Sequence, residues 1–168
     1  TMLVSAGNRK VKVSFFAALG TGRVGKPDWT DDGVLQIASL KDLMATKLKV
    51  LSQRVEAKDY QDVAAMLGAG ADLATALSAA RKLYGDAFQP NECLKALVYV
   101  EGGDLSSLPA STRRTLIAAA SSVRDLPNVR RLARTLSLAG AKPRRRATTP
   151  IKSTGARSIA AVRRRPMD

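Results

Sequence analysis

The sequence predicts an α+β fold that is mostly helical, with an N-terminal β-hairpin, about six helices and a disordered basic tail. Apolar and polar residues alternate over residues 10–17, which is the pattern of a half-buried strand. From Ser39 onward the apolar residues recur with a helical period. After Gly140 the chain carries prolines, clustered arginines and little that could pack. We therefore expect one folded domain over residues 1–139 and a separate tail over residues 140–168.

The strand and loop part is predicted over residues 1–38. Residues 2–5 are placed to pair with the strand at 10–17 across a Gly7-Asn8 turn. Two strands alone are marginally stable in water, so they need a covering layer or further strands. A stretch rich in Gly, Pro and Asp then extends to Gly33 and predicts an irregular connection. The sequence contains no other convincing strand.

The helical part is predicted over residues 39–139. Ser39 with Asp42 three residues later is a capping-box-like start for the first helix. Asp72 is the expected N-cap of the third helix, Pro90 suits the first turn of the fourth, and Ser111 is the expected cap of the fifth. The helices after the first are predicted at about 58–67, 72–84, 90–100, 111–123 and 127–139, the last one opened by Pro127.

Residues 20–25, Gly-Thr-Gly-Arg-Val-Gly, match the dinucleotide-binding fingerprint and directly follow a predicted strand. That fingerprint binds a pyrophosphate only when a helix opens at its end and presents its N-terminal amides. Here Lys26-Pro27-Asp28 and a further turn follow instead. We interpret the segment as a plain turn rather than a nucleotide site.

Residue types exclude several kinds of chemistry. Histidine is absent, which removes Ser-His-Asp and Cys-His nucleophiles, histidine bases and histidine-ligated metals. Cys93 is the only cysteine, so the chain can form neither an internal disulfide nor a thiolate zinc site. We expect Cys93 to be a small core residue. Any chemistry has to use carboxylates, lysine, arginine, hydroxyls or a metal held by oxygen.

The net charge of +14 indicates an anionic partner such as nucleic acid, a nucleotide or an acidic antitoxin. Residues 140–168 alone carry a net charge of +8. This tail fits a solvated extension and non-specific phosphate binding equally well, and it has no aromatic residue for base stacking. The arginines expected to contact nucleic acid are Arg144, Arg145, Arg146, Arg163, Arg164 and Arg165.

Neither a membrane span nor a signal peptide is visible in the sequence. No stretch approaches the roughly 20 apolar residues of a membrane helix, and the first residues lack the charged start and apolar run of a secretory leader. We therefore expect a cytoplasmic protein without a membrane partner.

Two cations fall within the apolar stripe of the first predicted helix. On a helical wheel, Lys47 and Arg54 lie among the stripe residues. Because a buried charge without a partner is costly, both side chains have to reach solvent, a carboxylate or a bound anion. The stripe consists of Leu40, Leu43, Met44, Leu48, Leu51 and Val55.

The second helix offers carboxylates for these cations. Asp59 falls on its apolar side and Asp62 lies at the edge of that side. Helices joined by a few residues normally pack together, so the four charges are expected to meet. One interpretation is a structural Arg54–Asp59 ion pair that fixes the helical hairpin. The other is that Lys47 binds a phosphate or stabilises a leaving group while Asp59 or Asp62 orients it.

These segments resemble a known family. Residues 37–48 (Ile-Ala-Ser-Leu-Lys-Asp-Leu-Met-Ala-Thr-Lys-Leu), Gln53-Arg54 and residues 57–64 (Ala-Lys-Asp-Tyr-Gln-Asp-Val-Ala) are similar to the helical core of the AbiEii/AbiGii-type nucleotidyltransferase toxins. The strand at 11–16 and residues 94–99 also sit where that family has them. The resemblance covers about residues 2–126 and leaves the tail outside.

The resemblance implies a fold of the DNA polymerase β-like nucleotidyltransferase superfamily and transfer of a nucleotide to an acceptor such as tRNA. It also implies a nucleoside triphosphate, Mg²⁺ and a cognate antitoxin. Matched residue by residue, Lys47, Asp59 and Asp62 would be catalytic. Lys47, Arg54 and Lys58 would bind the substrate phosphates.

One departure from the family pattern is serious. The family has a Gly-Gly or Gly-Ser turn followed by an Asp-x-Asp pair upstream of the strand, and this sequence has no two acids separated by one residue. Its only Gly-Gly, at residues 102–103, lies far downstream. Paired carboxylates hold Mg²⁺ against a triphosphate, so no metal ligand is assigned here. We expect a truncated or degenerate toxin-type nucleotidyltransferase that is inactive alone. The alternative is a non-catalytic basic helical module that binds nucleic acid or a protein partner.

Overall fold

Five α-helices and two small antiparallel strand pairs form the part of the chain that a computed structural model describes, residues 1–14 and 20–135. The predicted mostly helical α+β fold is confirmed. None of the described helices is long and apolar enough to cross a membrane. The strands are β1 (Met2–Ala6), β2 (Arg9–Val13), β3 (Asp28–Trp29) and β4 (Gln36–Ile37). The helices are α1 (Leu40–Leu51), α2 (Ala57–Gly68), α3 (Leu73–Tyr84), α4 (Pro90–Val98) and α5 (Ala110–Ser122).

The predicted N-terminal hairpin is present. β1 and β2 pair in antiparallel register, with Val4 opposite Val11. Gly7 lies at the turn with a φ of 60°, a conformation that glycine adopts without a steric penalty. Residues 15–17 of the predicted second strand lie outside the described residues.

The second strand pair was not predicted. Trp29 of β3 pairs with Gln36 of β4, and the intervening turn is closed by a hydrogen bond from the backbone N–H of Thr30 to the carbonyl of Leu35. The sequence had indicated an irregular connection here. The strands are two residues long, so their alternation is too short to detect.

The hydrophobic core lies among the helices, with α1 packed against α2 and α3, and α5 packed against α2 and α4. Cys93 of α4 is buried as expected, and burial raises the pKa of its thiol to about 12. The largest fully buried apolar side chains are Tyr60, Phe88, Met44, Leu48, Leu77, Leu97, Leu105, Leu116 and Val63.

The predicted helix caps are correct at two positions and wrong at a third. The Ser39 hydroxyl accepts a hydrogen bond from the Asp42 N–H at the start of α1, and the Asp72 carboxylate accepts one from the Thr75 N–H in α3. The expected Ser111 cap does not form, because α5 begins one residue earlier, after Pro109. α4 also ends slightly sooner than expected, at Val98.

The predicted sixth helix is wrong over its described part. Residues 127–132 have no helical structure, and Arg23 forms an antiparallel bridge with Ala133. The guanidinium of Arg131 donates to the carbonyls of Lys82 and Leu83 at the end of α3. The backbone N–H groups of Leu132 and Ala133 donate to the carbonyl of Arg23 instead of to carbonyls within a helix. The six tail arginines expected to bind nucleic acid lie outside the described residues.

Candidate functional site

The candidate site lies where α1 and α2 pack together. The buried face of α1 includes Met44, Leu48 and Leu51, whereas Leu43 is exposed. Lys47 therefore lies at the edge of the buried face rather than inside it, and its side chain is 32% exposed. The predicted position of Lys47 inside the apolar stripe is wrong, because Leu40 and Leu43 of that stripe are exposed.

Arg54 was also placed on α1, and this was wrong. α1 ends at Leu51, so Arg54 belongs to the connection before α2 and its side chain is 52% exposed. Its Nε nevertheless reaches the carboxylate of Asp59, at 2.8 Å from Oδ2. The predicted contact exists, but a loop residue makes it.

Asp59 is the centre of the site. It occupies the first turn of α2, and its side chain is only 1% exposed. One oxygen, Oδ1, accepts a hydrogen bond from Lys47 Nζ at 3.1 Å, while Oδ2 accepts the one from Arg54. A single buried carboxylate thus accepts hydrogen bonds from two cations, one on α1 and one in the connection between α1 and α2.

Asp62 and Glu56 complete the charges around the cations. Asp62 lies three residues after Asp59 on α2, and its Oδ2 is 2.5 Å from Lys47 Nζ. The Glu56 carboxylate is 3.2 Å from Arg54 Nη1. Lys47, Arg54, Asp59 and Asp62, hereafter the cation–carboxylate network, are therefore brought together as expected. Glu56 was missed, although an acid two residues after Arg54 could have suggested it.

Lys58 is the one predicted phosphate-binding residue that does not join the network. It is exposed on the first turn of α2. Among the described residues it has no carboxylate partner. Lys58 would therefore contact only a ligand that extends beyond the network.

The network shifts the pKa values of its members. Burial by itself would raise the pKa of Asp59, but the hydrogen bonds from Arg54 and Lys47 outweigh it and leave that pKa below its ordinary value. Partial burial would lower the pKa of Lys47, but Asp62 and Asp59 together raise it. The hydrogen bond to Asp59 raises the pKa of Arg54. All three groups are therefore charged at neutral pH.

The geometry suits anion binding better than acid or base chemistry. Both oxygens of Asp59 accept hydrogen bonds from cations, which stabilise its charged form, so this carboxylate is a weak proton acceptor at neutral pH. The heads of Lys47 and Arg54 remain partly accessible, and each has unused donors that can point to solvent. Within residues 1–14 and 20–135, no three His, Cys, Asp or Glu residues are grouped so as to hold a metal ion.

The fingerprint-like loop at residues 20–25 is occupied by the chain itself. The buried carboxylate of Asp42 accepts hydrogen bonds from the N–H groups of Val24, at 2.7 Å, and Gly25, at 3.0 Å. A phosphate would need those amides free. The contact supports our interpretation of this segment as a turn. The sequence did not reveal the partnership, because Asp42 was read only as a capping residue of α1.

The fold and site together define a mostly helical α+β protein in which a buried carboxylate holds two partly exposed cations. The family model of the nucleotidyl transferase AbiEii toxins of type IV toxin–antitoxin systems matches residues 4–144. The chain belongs to this family. No curated protein and no solved structure matches it significantly. The cation–carboxylate network lies entirely within the matched range.

Proposed function

We propose that the cation–carboxylate network binds the triphosphate of a nucleoside triphosphate, as the phosphate-binding part of a nucleotidyltransferase toxin site. The observation that carries this proposal is the pair of hydrogen bonds to Asp59, which fixes Lys47 and Arg54 side by side with their charged heads partly exposed. Two neighbouring cations match the closely spaced charges of a triphosphate.

Prior immobilisation of the two cations favours binding. A free lysine or arginine loses side-chain entropy when it grips a ligand, whereas Lys47 and Arg54 are already restrained by carboxylates. Lys47 offers a compact point charge, and Arg54 offers a planar fork that can contact two phosphate oxygens. The four charges of the network sum to zero and Glu56 adds one negative charge, so binding has to depend on the unused donors of Lys47 and Arg54 and should not be very tight.

In nucleotidyl transfer, an acceptor hydroxyl attacks the α-phosphorus, a new P–O bond forms, and the bond to the departing pyrophosphate breaks. Negative charge accumulates on the leaving pyrophosphate. Lys47 Nζ can donate hydrogen bonds to that group and stabilise the charge. Asp59 and Asp62 act by holding Nζ in place. The acceptor we propose is tRNA or another RNA, and a cognate antitoxin is the proposed protein partner.

The network does not fit a role as a magnesium site. Both oxygens of Asp59 accept hydrogen bonds from cations, Asp62 Oδ2 is paired with Lys47 Nζ, and the sequence has no Asp-x-Asp pair. The Mg²⁺ of a nucleotidyltransferase would have to be held by the triphosphate and by carboxylates that this network does not supply. We therefore propose that this chain by itself binds a nucleotide in the cytoplasm but does not transfer it.

A labelling experiment tests the second half of the proposal. The purified chain is incubated with tRNA, Mg²⁺ and each radioactive nucleoside triphosphate in turn. We expect no label in the RNA. Robust incorporation of any nucleotide would contradict the conclusion that the metal-binding acids are lacking.

A binding experiment tests the first half. Titration of the chain with a nucleoside triphosphate should give a measurable heat, and Lys47→Ala should weaken binding about tenfold or more, as loss of a charge-assisted contact does. Lys41→Ala removes the same charge from an exposed position on α1 outside the network, so it is the matched control. Equal weakening by both variants would indicate a general charge effect and not a site.

The second candidate function is non-catalytic binding of nucleic acid. The observation that favours it is the net charge of +8 on residues 140–168. Asp59→Asn separates the two candidates, because it should disturb triphosphate binding but leave RNA binding by the tail unchanged.

A further inference from the structure

A turn that is distant in sequence lies against the start of α2. The Asp104 carboxylate accepts a hydrogen bond from the N–H of Ala57, the first residue of α2, at 2.6 Å. The local N-cap residue, Glu56, makes no side-chain hydrogen bond to the helix. The first turn of α2 is therefore capped by a residue 47 positions away.

The residue before Asp104 approaches the same connection closely. Gly103 has a φ of 52°, and a Cβ added there would lie 2.9 Å from the carbonyl oxygen of Val55. Because that oxygen is a backbone atom, a larger residue would force the connection to move. Gly102, with a φ of 91°, has nothing within 4 Å of such a Cβ. The close contact is therefore specific to Gly103.

The turn is itself anchored to the core. Leu105, directly after Asp104, is completely buried. Its carbonyl accepts a hydrogen bond from Arg113 Nη2 of α5, at 3.0 Å. Because the turn is anchored in this way, the position of α5 can help to fix the position at which α2 starts.

We propose that the Gly103-Asp104 turn positions the cation–carboxylate network by fixing where α2 begins, and thereby holds Asp59 between Lys47 and Arg54. Arg54 immediately precedes Val55, which touches Gly103, and Asp59 lies two residues after Ala57, which Asp104 caps. The first contact is next to Arg54 and the second is two residues before Asp59, so both fall within the segment that links the two members of the ion pair. The consequence for ligand binding rests on the proposed function, but the placement of Asp59 can be measured without it.

The first test follows the carboxyl group of Asp59 by ¹³C NMR during an acid titration. Asp59 faces Lys47 and Arg54, whose other partners are Asp62 and Glu56. Asp104→Ala should raise the pKa of Asp59 towards its ordinary value, because the two cations no longer sit at bonding distance. Loss of the Asp104 charge alone would shift the pKa of Asp59 the other way, so the sign identifies the cause.

Two variants control this titration. Asp104→Asn keeps an oxygen that can accept from Ala57, and it should leave the pKa of Asp59 close to the parent value. Asp72→Ala removes a carboxylate cap of the same chemistry from α3 and should also leave it unchanged. An Asp59 pKa that is unaffected by Asp104→Ala, or equally affected by Asp72→Ala, would overturn the proposal.

The second test uses inorganic triphosphate as the probe. Asp104→Ala and Gly103→Ala should each weaken its binding about tenfold, because misplacing a charged contact by about 1 Å removes much of its effect. Gly102→Ala is the control for Gly103→Ala: it introduces strain at a positive φ without touching Val55. Equal binding by the Gly102 and Gly103 variants would contradict positioning. If the unmodified chain does not bind triphosphate, the proposed function fails, and the Asp59 titration alone decides on the turn.

Discussion

Asp59 is the residue on which the cation–carboxylate network depends. Its carboxylate is almost completely buried and accepts one hydrogen bond from each of two cations. Its removal would leave Lys47 without one of its two carboxylates, and Arg54 with only the exposed Glu56. A structural role and a ligand-binding role are therefore compatible at this position, and stability measurements have to accompany every binding measurement.

Asp59→Asn should destabilise the fold. The amide is nearly the same size, but it has one acceptor instead of two and turns an NH₂ group towards a cation. We expect the free energy of unfolding to fall by about 2 kcal/mol, measured by urea denaturation. Asp62→Asn is the matched control, because Asp62 is 39% exposed and its surface ion pair should contribute less than about 1 kcal/mol. Equal losses in the two variants would contradict the central role of Asp59.

The network should also make stability depend on pH at both extremes. The pKa of Asp59 is lowered in the folded chain, so its contribution is complete above the ordinary aspartate pKa of about 4 and disappears as the pH falls through the folded value. The pKa of Lys47 is raised, so its contribution is complete below about pH 10 and disappears as the pH rises through its folded value. Urea midpoints measured across the pH range should show both losses, and Lys47→Ala should remove the alkaline one.

At the scale of residues, the sequence predicted which charges meet but not how they meet. Lys47, Asp59 and Asp62 follow from helical spacing, which survives small errors in helix boundaries. The predicted contact between Arg54 and Asp59 exists, but the predicted position of Arg54 on α1 is wrong, because α1 ends before it. The contact between Asp104 and Ala57 could not be predicted, because no local sequence pattern links residues 47 positions apart.

Gly25, in the loop at residues 20–25, is packed tightly against the start of α1. A Cβ at Gly25 would lie 1.8 Å from Ser39 Oγ and 2.9 Å from Asp42 Oδ2. Gly25→Ala should therefore separate the loop from α1 and lower the free energy of unfolding by about 2–4 kcal/mol. Gly20→Ala is the control, because nothing lies within 4 Å of its Cβ. Urea denaturation of the two variants should differ clearly, and hydrogen exchange at Val24 should accelerate only in the Gly25 variant.

The elements that the sequence predicted well have their signals within a few residues. Caps at Ser39 and Asp72, the Gly7 turn and the period of α1 to α3 are local features. The predicted sixth helix is absent from residues 127–132, where Arg131 donates to α3 carbonyls and the backbone of Leu132 pairs with Arg23, both far away in sequence. Single-sequence patterns cannot report such competition between local and distant hydrogen bonds.

For the whole molecule, most of the net positive charge lies in residues 140–168. Residues 140–168 carry +8, and the remaining chain carries +6. Deletion of residues 140–168 should weaken tRNA binding and reduce its salt dependence by about 0.7 per lost phosphate contact. Fluorescence anisotropy at several salt concentrations measures both effects. A second version should behave like the deletion; in it, glutamine replaces Arg144, Arg145, Arg146, Arg163, Arg164 and Arg165. Unchanged affinity in both would assign RNA binding to the folded part.

The occupied loop at residues 20–25 has a consequence for engineering. The Asp42 carboxylate accepts hydrogen bonds from the N–H groups of Val24 and Gly25 and from the Ser39 hydroxyl, so its replacement by glycine would leave three donors around the space of the lost carboxylate. Formate or acetate added to the solution should bind in that space, replace the missing carboxylate and restore part of the lost stability. The variant that lacks the Asp42 carboxylate would thereby become a binding protein for small carboxylates.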